Sequence, residues 1–151
     1  MNYITPHFTM EEFVATNHRN IDNTLPLELY GNAMRTCEMM ERIRLYLSKV
    51  VGRDTAINPS SAYRCLELNR AVGSSDSSDH VQGLAMDWNA QGLTPFEVCR
   101  LLEPVMNELD IGQLIYEYGR WIHTGVQRPA KAINRVITIT KAGTDVGIKY
   151  V

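Results

Sequence analysis

Two histidines and an aspartate are the residues of this chain best placed to do chemistry. His80 and Asp87 fall in Ser-Asp-His-Val-Gln-Gly-Leu-Ala-Met-Asp-Trp (78–88), and His123 closes Trp121-Ile122-His123. An imidazole nitrogen and a carboxylate oxygen both suit Zn²⁺, and three protein ligands leave the fourth tetrahedral position open to a water. We read the three as ligands of one catalytic zinc per chain, an ion that brings the pKa of water towards ~7 and polarises a carbonyl. Read as a strand, the stretch turns Gly83, Ala85 and Asp87 to one face and Leu84, Met86 and Trp88 to the other. Small residues on the first face leave room for a metal and a substrate. Taken singly, each residue also has a plain structural reading, with His80 a loop histidine and Asp87 a turn or capping residue. His7 and His18 have no spacing partner and make weaker ligands.

The pattern is wider than these three. Ser78, His80, Gly83, Ala85 and Asp87 fit Ser-x-His-x-x-Gly-x-Ala-x-Asp. Ser61-Ala62-Tyr63-Arg64 with Asn69 precedes it and Trp121-Ile122-His123 follows, so the ordered matches cover about 57–126. Together they resemble the zinc D-alanyl-D-alanine carboxypeptidase superfamily, which also contains phage L-alanyl-D-glutamate endopeptidases and the hedgehog signalling domain. His7-Phe8-Thr9 with Glu12-Phe13 is similar to the opening of the phage and bacterial branch. The resemblance implies an α+β fold with a mostly antiparallel central sheet packed against helices. It also implies a zinc peptidase that hydrolyses stem-peptide or crosslink amide bonds of peptidoglycan, of the L-Ala-D-Glu endopeptidase or D-Ala-D-Ala carboxypeptidase type. The nearest kind is a phage or prophage endolysin that reaches the wall with the help of a holin. Two other readings stay open: a non-catalytic, metal-retaining binding module, as the hedgehog domain is, and a virion-associated wall-degrading component.

Such a peptidase needs a carboxylate that takes a proton from the attacking water and passes it to the leaving amine. Glu117 is the candidate, and its direction depends on a turn. If Tyr118, Gly119 and Arg120 make a three-residue turn, Glu117 faces Trp121 and shares a side of the hairpin with His123; a two-residue turn at Gly119-Arg120 reverses this. Part of the family carries an acidic residue two or three positions before the third ligand, where this chain has Trp121 and Arg120. Asp79, Asp110 and Glu108 are therefore the other carboxylates to consider, and a solvent-facing strand position is the plain reading of Glu117. Arg64, the matched arginine, suits a substrate carboxylate or the oxyanion of the intermediate, since a guanidinium is permanently charged and rigid. Ser61 and Ser78 could bind substrate or steady their loops. Tyr63 reads as packing, and Trp121 as a cleft wall.

The elements that must position these groups are legible in outline. Thr9 and Glu12 have capping-box spacing, predicting a short helix over Met10 to Ala15. A polar loop over Thr16 to Thr24 follows. From Pro26 to Lys49, Tyr30, Ala33, Cys37, Met40, Ile43 and Leu47 recur at helical steps, marking a long helix with one buried face that Gly52 ends. Met34, Met39 and Met40 read as core filling. Thr55 to Asn58 is a strand candidate closed by Pro59, which would place Ser60, Ser61, Tyr63 and Arg64 in a loop. A helix over Leu66 to Val72 stops at Gly73, and 73–79 is a serine-rich loop leading into His80. Thr94-Pro95-Phe96-Glu97 opens a second main helix to about Leu109, with a kink at Pro104. Leu114 to Tyr118 and Trp121 to Val126 read as a hairpin. After polar Gln127 to Lys131, Arg135 to Thr140 and Val146 to Val151 form a further strand pair.

At 151 residues the length fits one zinc peptidase domain over 1–151. A hydrophobic fraction of 44% with 21% charged residues suits a folded globule rather than a disordered chain. The net charge of -2 argues against a nucleic-acid partner, because neutralising phosphates needs a basic surface. Cys37, Cys65 and Cys99 are odd in number and scattered, which indicates reduced core residues rather than a disulfide framework or a thiolate metal site. We see neither a secretory leader nor an apolar run near ~18 residues. The expectation is a monomer made in the cytoplasm of a bacterial host, not inserted in a membrane, that acts on the wall after release.

Overall fold

The computed structural model describes residues 1–128 and 135–151. Its centre is three antiparallel strands, β4 (Ala85–Ala90), β6 (Trp121–Val126) and β5 (Ile111–Glu117), with β6 in the middle and paired to both others. Beyond β4 lies the edge strand β3 (Ile57–Ser61). Beyond β5 come β7 (Arg135–Thr140), parallel to it, and β8 (Gly143–Val146), antiparallel to β7. The six-stranded order is therefore β3-β4-β6-β5-β7-β8. A small ribbon of β1 (Tyr3–Thr5) and β2 (Phe8–Thr9) stands apart from this sheet. The architecture is the expected α+β, mostly antiparallel arrangement.

Strand alternation divides the central sheet into a core face and a site face. Met86 and Trp88 of β4, Ile122 and Thr124 of β6, and Leu114 and Tyr116 of β5 are all buried on the core face. Each large apolar side chain among them is worth roughly 1.5–3 kcal/mol of burial. Against them lies α2 (Tyr30–Val51), burying Ala33, Cys37, Met39, Met40, Ile43 and Leu47. The polar atoms of this layer are paired: the Trp88 indole N–H donates to Thr124 Oγ1 at 2.9 Å, and that hydroxyl donates to Met40 Sδ at 3.5 Å. The helix ends as its sequence foretells, at Gly52, whose φ of 85° suits glycine and whose N–H caps Ser48 O. Two residues placed on its buried face and among its core methionines do not go inside: Tyr30 and Met34 are exposed.

Both predicted capping boxes form, Thr9 with Glu12 at the start of α1 (Met10–Phe13) and Thr94 with Glu97 at the start of α4 (Pro95–Leu102). Each is worth about 1 kcal/mol. Several boundaries differ from the sequence reading. First, α1 stops at Phe13 rather than Ala15. Next, α4 ends at Leu102 and passes into a 3₁₀ turn, Glu103–Val105, instead of continuing to Leu109, because Pro104 lacks the N–H and crowds the preceding turn. Strand β3 runs through Pro59, which pairs with Trp88, and takes Ser60 and Ser61 into the sheet. An edge strand tolerates proline, since its free side needs no donor. Last, β8 turns back directly after Thr140 and ends at Val146, so the segment after Val146 is not the second strand of the pair. Of the predicted polar stretch 127–131, residues 129–131 lie outside the described residues.

The helix α3 (Leu66–Ala71) forms where expected, with Cys65 as its cap. Cys37 and Cys99 are buried, and burial pushes both thiols up to about 12. Cys65 is partly exposed. We expect one of the three thiols to react promptly with an aromatic disulfide reagent in native protein and all three after denaturation. Two or more fast thiols in the native state would contradict this packing.

Candidate metal centre and active-site cleft

The site grows from register. Asp87 on β4 pairs with His123 on β6, and His123 pairs with Ile115 on β5, so the first two side chains share the site face of neighbouring strands. His80 arrives from outside the sheet, in the 3₁₀ turn Asp79–Gln82 that precedes β4. Gly83 closes that turn with φ 69°, a left-handed conformation that explains the glycine. It is therefore not part of the strand, and of the predicted Gly83, Ala85 and Asp87 face only the last two belong to β4. Helix α2 holds the turn in place: Thr36 Oγ1 donates to Gly83 O at 2.7 Å and Asn32 Nδ2 to Gln82 O at 2.9 Å. Ser78 Oγ accepts from the His80 N–H, which gives it the loop-steadying role.

His80, Asp87 and His123 are all buried and converge on one point. His80 Nε2 and His123 Nδ1 are 3.2 Å apart, and Asp87 Oδ1 is 3.3 Å from the first and 2.9 Å from the second. Ligands bonded at 2.0–2.1 Å to a tetrahedral zinc stand about 3.3 Å from one another, so this triangle has the size of one tetrahedral face. The outer hydrogen bonds set the tautomers. His80 Nδ1–H donates to Ala62 O at 2.6 Å and His123 Nε2–H to Gln113 Oε1 at 3.2 Å. Both inward nitrogens thus aim at the carboxylate oxygen, and a cation must sit among the three: a proton or a metal ion.

The charges agree. Desolvation works to raise the Asp87 carboxyl, but His80 and His123 outweigh it and hold it well below the usual carboxylate range. Desolvation likewise works to lower His123, and Asp87 overcomes it, so the imidazole keeps its proton more strongly than usual. A metal ion would displace that proton. These residues fit a zinc ion in donor type, spacing and support, and they could hold one.

The centre opens into a cleft of about 610 Å³ whose lining includes Arg64, Ser78, Gln113, Glu117, Trp121 and Arg135. The hairpin question resolves in favour of the longer turn. Glu117 pairs with Trp121, leaving Tyr118, Gly119 and Arg120 as the connection, and Glu117 faces the cleft. Its Oε1 lies 4.0 Å from His123 Nδ1. Burial raises the Glu117 carboxyl, and the neighbouring Asp87 charge adds to this against the pull of His123 and Arg64. The other carboxylates are placed differently: Asp110 is paired with Arg35 at 3.0 Å, Glu108 is exposed away from the cleft, and Asp79, though it lines the cleft, is ion-paired with Arg128.

Arg64 also lines the cleft, its Nε donating to Asn69 Oδ1 at 3.1 Å. Burial works against its charge, while Asp87 and Glu117 support it. Trp121 stands against Tyr118, rings 5.5 Å apart, and walls one side. Tyr63 is buried as packing. Ser61 is only partly buried beside Asp87 in register and is not among the cleft-lining residues. His7 is paired with Glu41 at 2.7 Å, and His18 is exposed; neither joins the cluster. Gln113, Arg128 and Arg135 were not singled out from the sequence. Gln113 was findable, because 113, 115 and 117 alternate, so a site-facing Glu117 makes Gln113 site-facing too.

Gln113 orients His123, and outer partners of this kind typically contribute 10–100-fold in metal affinity. Gln113→Leu is expected to weaken zinc binding by about that factor, measured by competition with a chromophoric chelator. Unchanged affinity would remove Gln113 from the metal centre.

A sheet that brings two histidines and an aspartate together above a cleft, with a carboxylate alongside, marks a metallopeptidase. Residues 6–125 match the family model described as Peptidase M15, and the chain belongs to that family. The resemblance to the zinc D-alanyl-D-alanine carboxypeptidase superfamily is borne out with it. M15 peptidases are zinc-dependent enzymes of peptidoglycan-like substrates. No curated protein matches the chain. Among the described residues no helix is long and apolar enough to cross a membrane.

Proposed function

We propose that this chain is a zinc peptidase that hydrolyses amide bonds in the stem peptides or crosslinks of peptidoglycan, with His80, Asp87 and His123 as the metal ligands. The observation that carries the catalytic reading is the Glu117 carboxylate, facing the cleft 4.0 Å from His123. A half-buried carboxylate of raised proton affinity facing the cleft is where a general base would stand, which favours a peptidase over a module that only retains a metal. Zinc, when bound, supplies the polarisation of the scissile carbonyl and the activation of water at neutral pH.

The rest is the work of the chain. Glu117 accepts a proton from the attacking water and returns it to the leaving nitrogen, which its raised proton affinity favours. Arg64 offers its outer guanidinium nitrogens to the developing oxyanion or to a substrate carboxylate. Ser78 keeps the His80 turn in position, and Ser61 supports the Asp87 strand rather than touching substrate. We take 1–151 as one peptidase domain, supported by a continuous core from Phe8 to Val126 against which Val136 and Ile148 pack. We also take the chain to act as a monomeric endolysin of phage or prophage type that passes a membrane opened by a holin; the likeness of the opening motif to that branch supports the endolysin part of this reading alone.

The test is purified Gram-negative peptidoglycan incubated with the protein, with released fragments followed by mass spectrometry. New peptide termini without glycan cleavage are expected, and their masses name the bond. Bound zinc without any fragment would move the reading to a binding module.

A further inference from the structure

Two arginines line the cleft from opposite sides of the metal centre. Arg64 follows β3 at one edge of the sheet, and Arg135 opens β7 on the other side of β5. Arg64 has a family counterpart in the Ser-x-Tyr-Arg motif. Arg135 lies beyond the matched residues 6–125.

With a divalent ion counted in place, the charges lining the cleft leave a positive surplus. Asp79 is matched by Arg128. Asp87 and Glu117 together offset the two charges of a divalent ion. Those are the acidic residues lining the cleft, and neither Arg64 nor Arg135 makes an ion pair among the described residues. A concave site with surplus positive charge on two walls suits an anionic ligand with two separated negative groups.

Register gives the spacing. Arg135 pairs with Gln113, and Gln113 with Gly125, which lies two residues along β6 from His123. The Arg135 backbone thus stands two strands from the His123 strand, roughly 10 Å. The guanidinium lines the same cleft, so Arg135 meets the substrate beside the metal centre rather than at it. The peptidoglycan stem peptides that the proposed function assigns to this cleft carry a fitting group, because a D-glutamate linked through one carboxyl keeps the other free.

We propose that Arg135 is a specificity-determining residue that binds the free carboxylate of the substrate's D-glutamate, so that the cleft selects acid over amidated stem peptides. This rests on the peptidase reading of the metal centre. The guanidinium supplies a forked donor to a planar carboxylate, a pairing that a carboxamide reproduces only in part.

The experiment compares two synthetic pentapeptides, L-Ala-γ-D-Glu-L-Lys-D-Ala-D-Ala and the same peptide with the glutamate α-carboxylate converted to a carboxamide. Wild-type zinc-loaded protein and the Arg135→Gln and Arg135→Lys variants are measured on both. Wild type is expected to favour the acid peptide by about tenfold or more in kcat/KM, chiefly through KM. Arg135→Gln should lose most of that preference, its kcat/KM falling far more on the acid peptide than on the amidated one, and Arg135→Lys should restore part of it. A wild type that does not discriminate overturns the proposal. So does an Arg135→Gln protein that keeps the preference or loses activity equally on both peptides. Fragments released from peptidoglycan with neither pentapeptide cleaved overturn the substrate assignment alone, whereas no release from peptidoglycan either sinks the peptidase reading.

Discussion

Glu117→Gln protein should bind zinc as wild type does and cleave peptidoglycan about 10²–10⁴-fold more slowly. The amide keeps the size of the carboxylate and its place opposite Trp121 in the hairpin, so neither the fold nor the triad is disturbed. What it loses is the ability to take a proton. Glu117 is held above its usual proton affinity by burial and by Asp87, and a raised pKa brings a carboxylate nearer the working range of a general base at neutral pH. A zinc titration alongside the rate assay separates the roles. A variant of near-wild-type rate would place the base elsewhere, with Asp79 as the remaining acidic residue on the cleft apart from Asp87.

His80→Ala should abolish activity and zinc binding together. It removes one corner of a triangle whose sides are 2.9–3.3 Å, and the loss should exceed the 10–100-fold that an outer partner contributes. Thermal unfolding gives a second readout. A ligand at 1,000 times its Kd stabilises the native state by about 4 kcal/mol, which for a chain of this size raises Tm by roughly 10 °C. Wild type should show that rise on zinc addition and His80→Ala should not. The sign with pH is also fixed. His123 in the metal-free protein holds its proton more tightly than usual, and zinc must displace that proton, so affinity should fall as pH drops through the raised value. An affinity independent of pH across that range would contradict His123 as a ligand.

The convergence of His80, Asp87 and His123 was legible because candidate ligand chemistry is a matter of residue type and short spacing, and the matched motif held His80 and Asp87 seven positions apart. The helix caps at Thr9 and Thr94 were legible for the same local reason. Turn parity was not. It depended on Tyr118 entering the left-handed region at φ 55°, which a non-glycine residue does too rarely for sequence to foretell. Gly83 misled in the opposite sense: its alternation with Ala85 and Asp87 suggested a strand, while its positive φ closes the 3₁₀ turn that delivers His80. Pro59 suggested a strand end because the edge position of β3 was unknown. The parallel docking of β7 on β5, and with it the arrival of Arg135 at the cleft, is a long-range pairing with no local signature.

The most direct measurement is a titration of metal-free protein with zinc while peptide release from peptidoglycan is followed by mass spectrometry. Activity should rise in proportion to zinc and level off at one equivalent per chain. Cleavage by the metal-free protein, or full zinc occupancy with no cleavage, would contradict a catalytic zinc held by His80, Asp87 and His123.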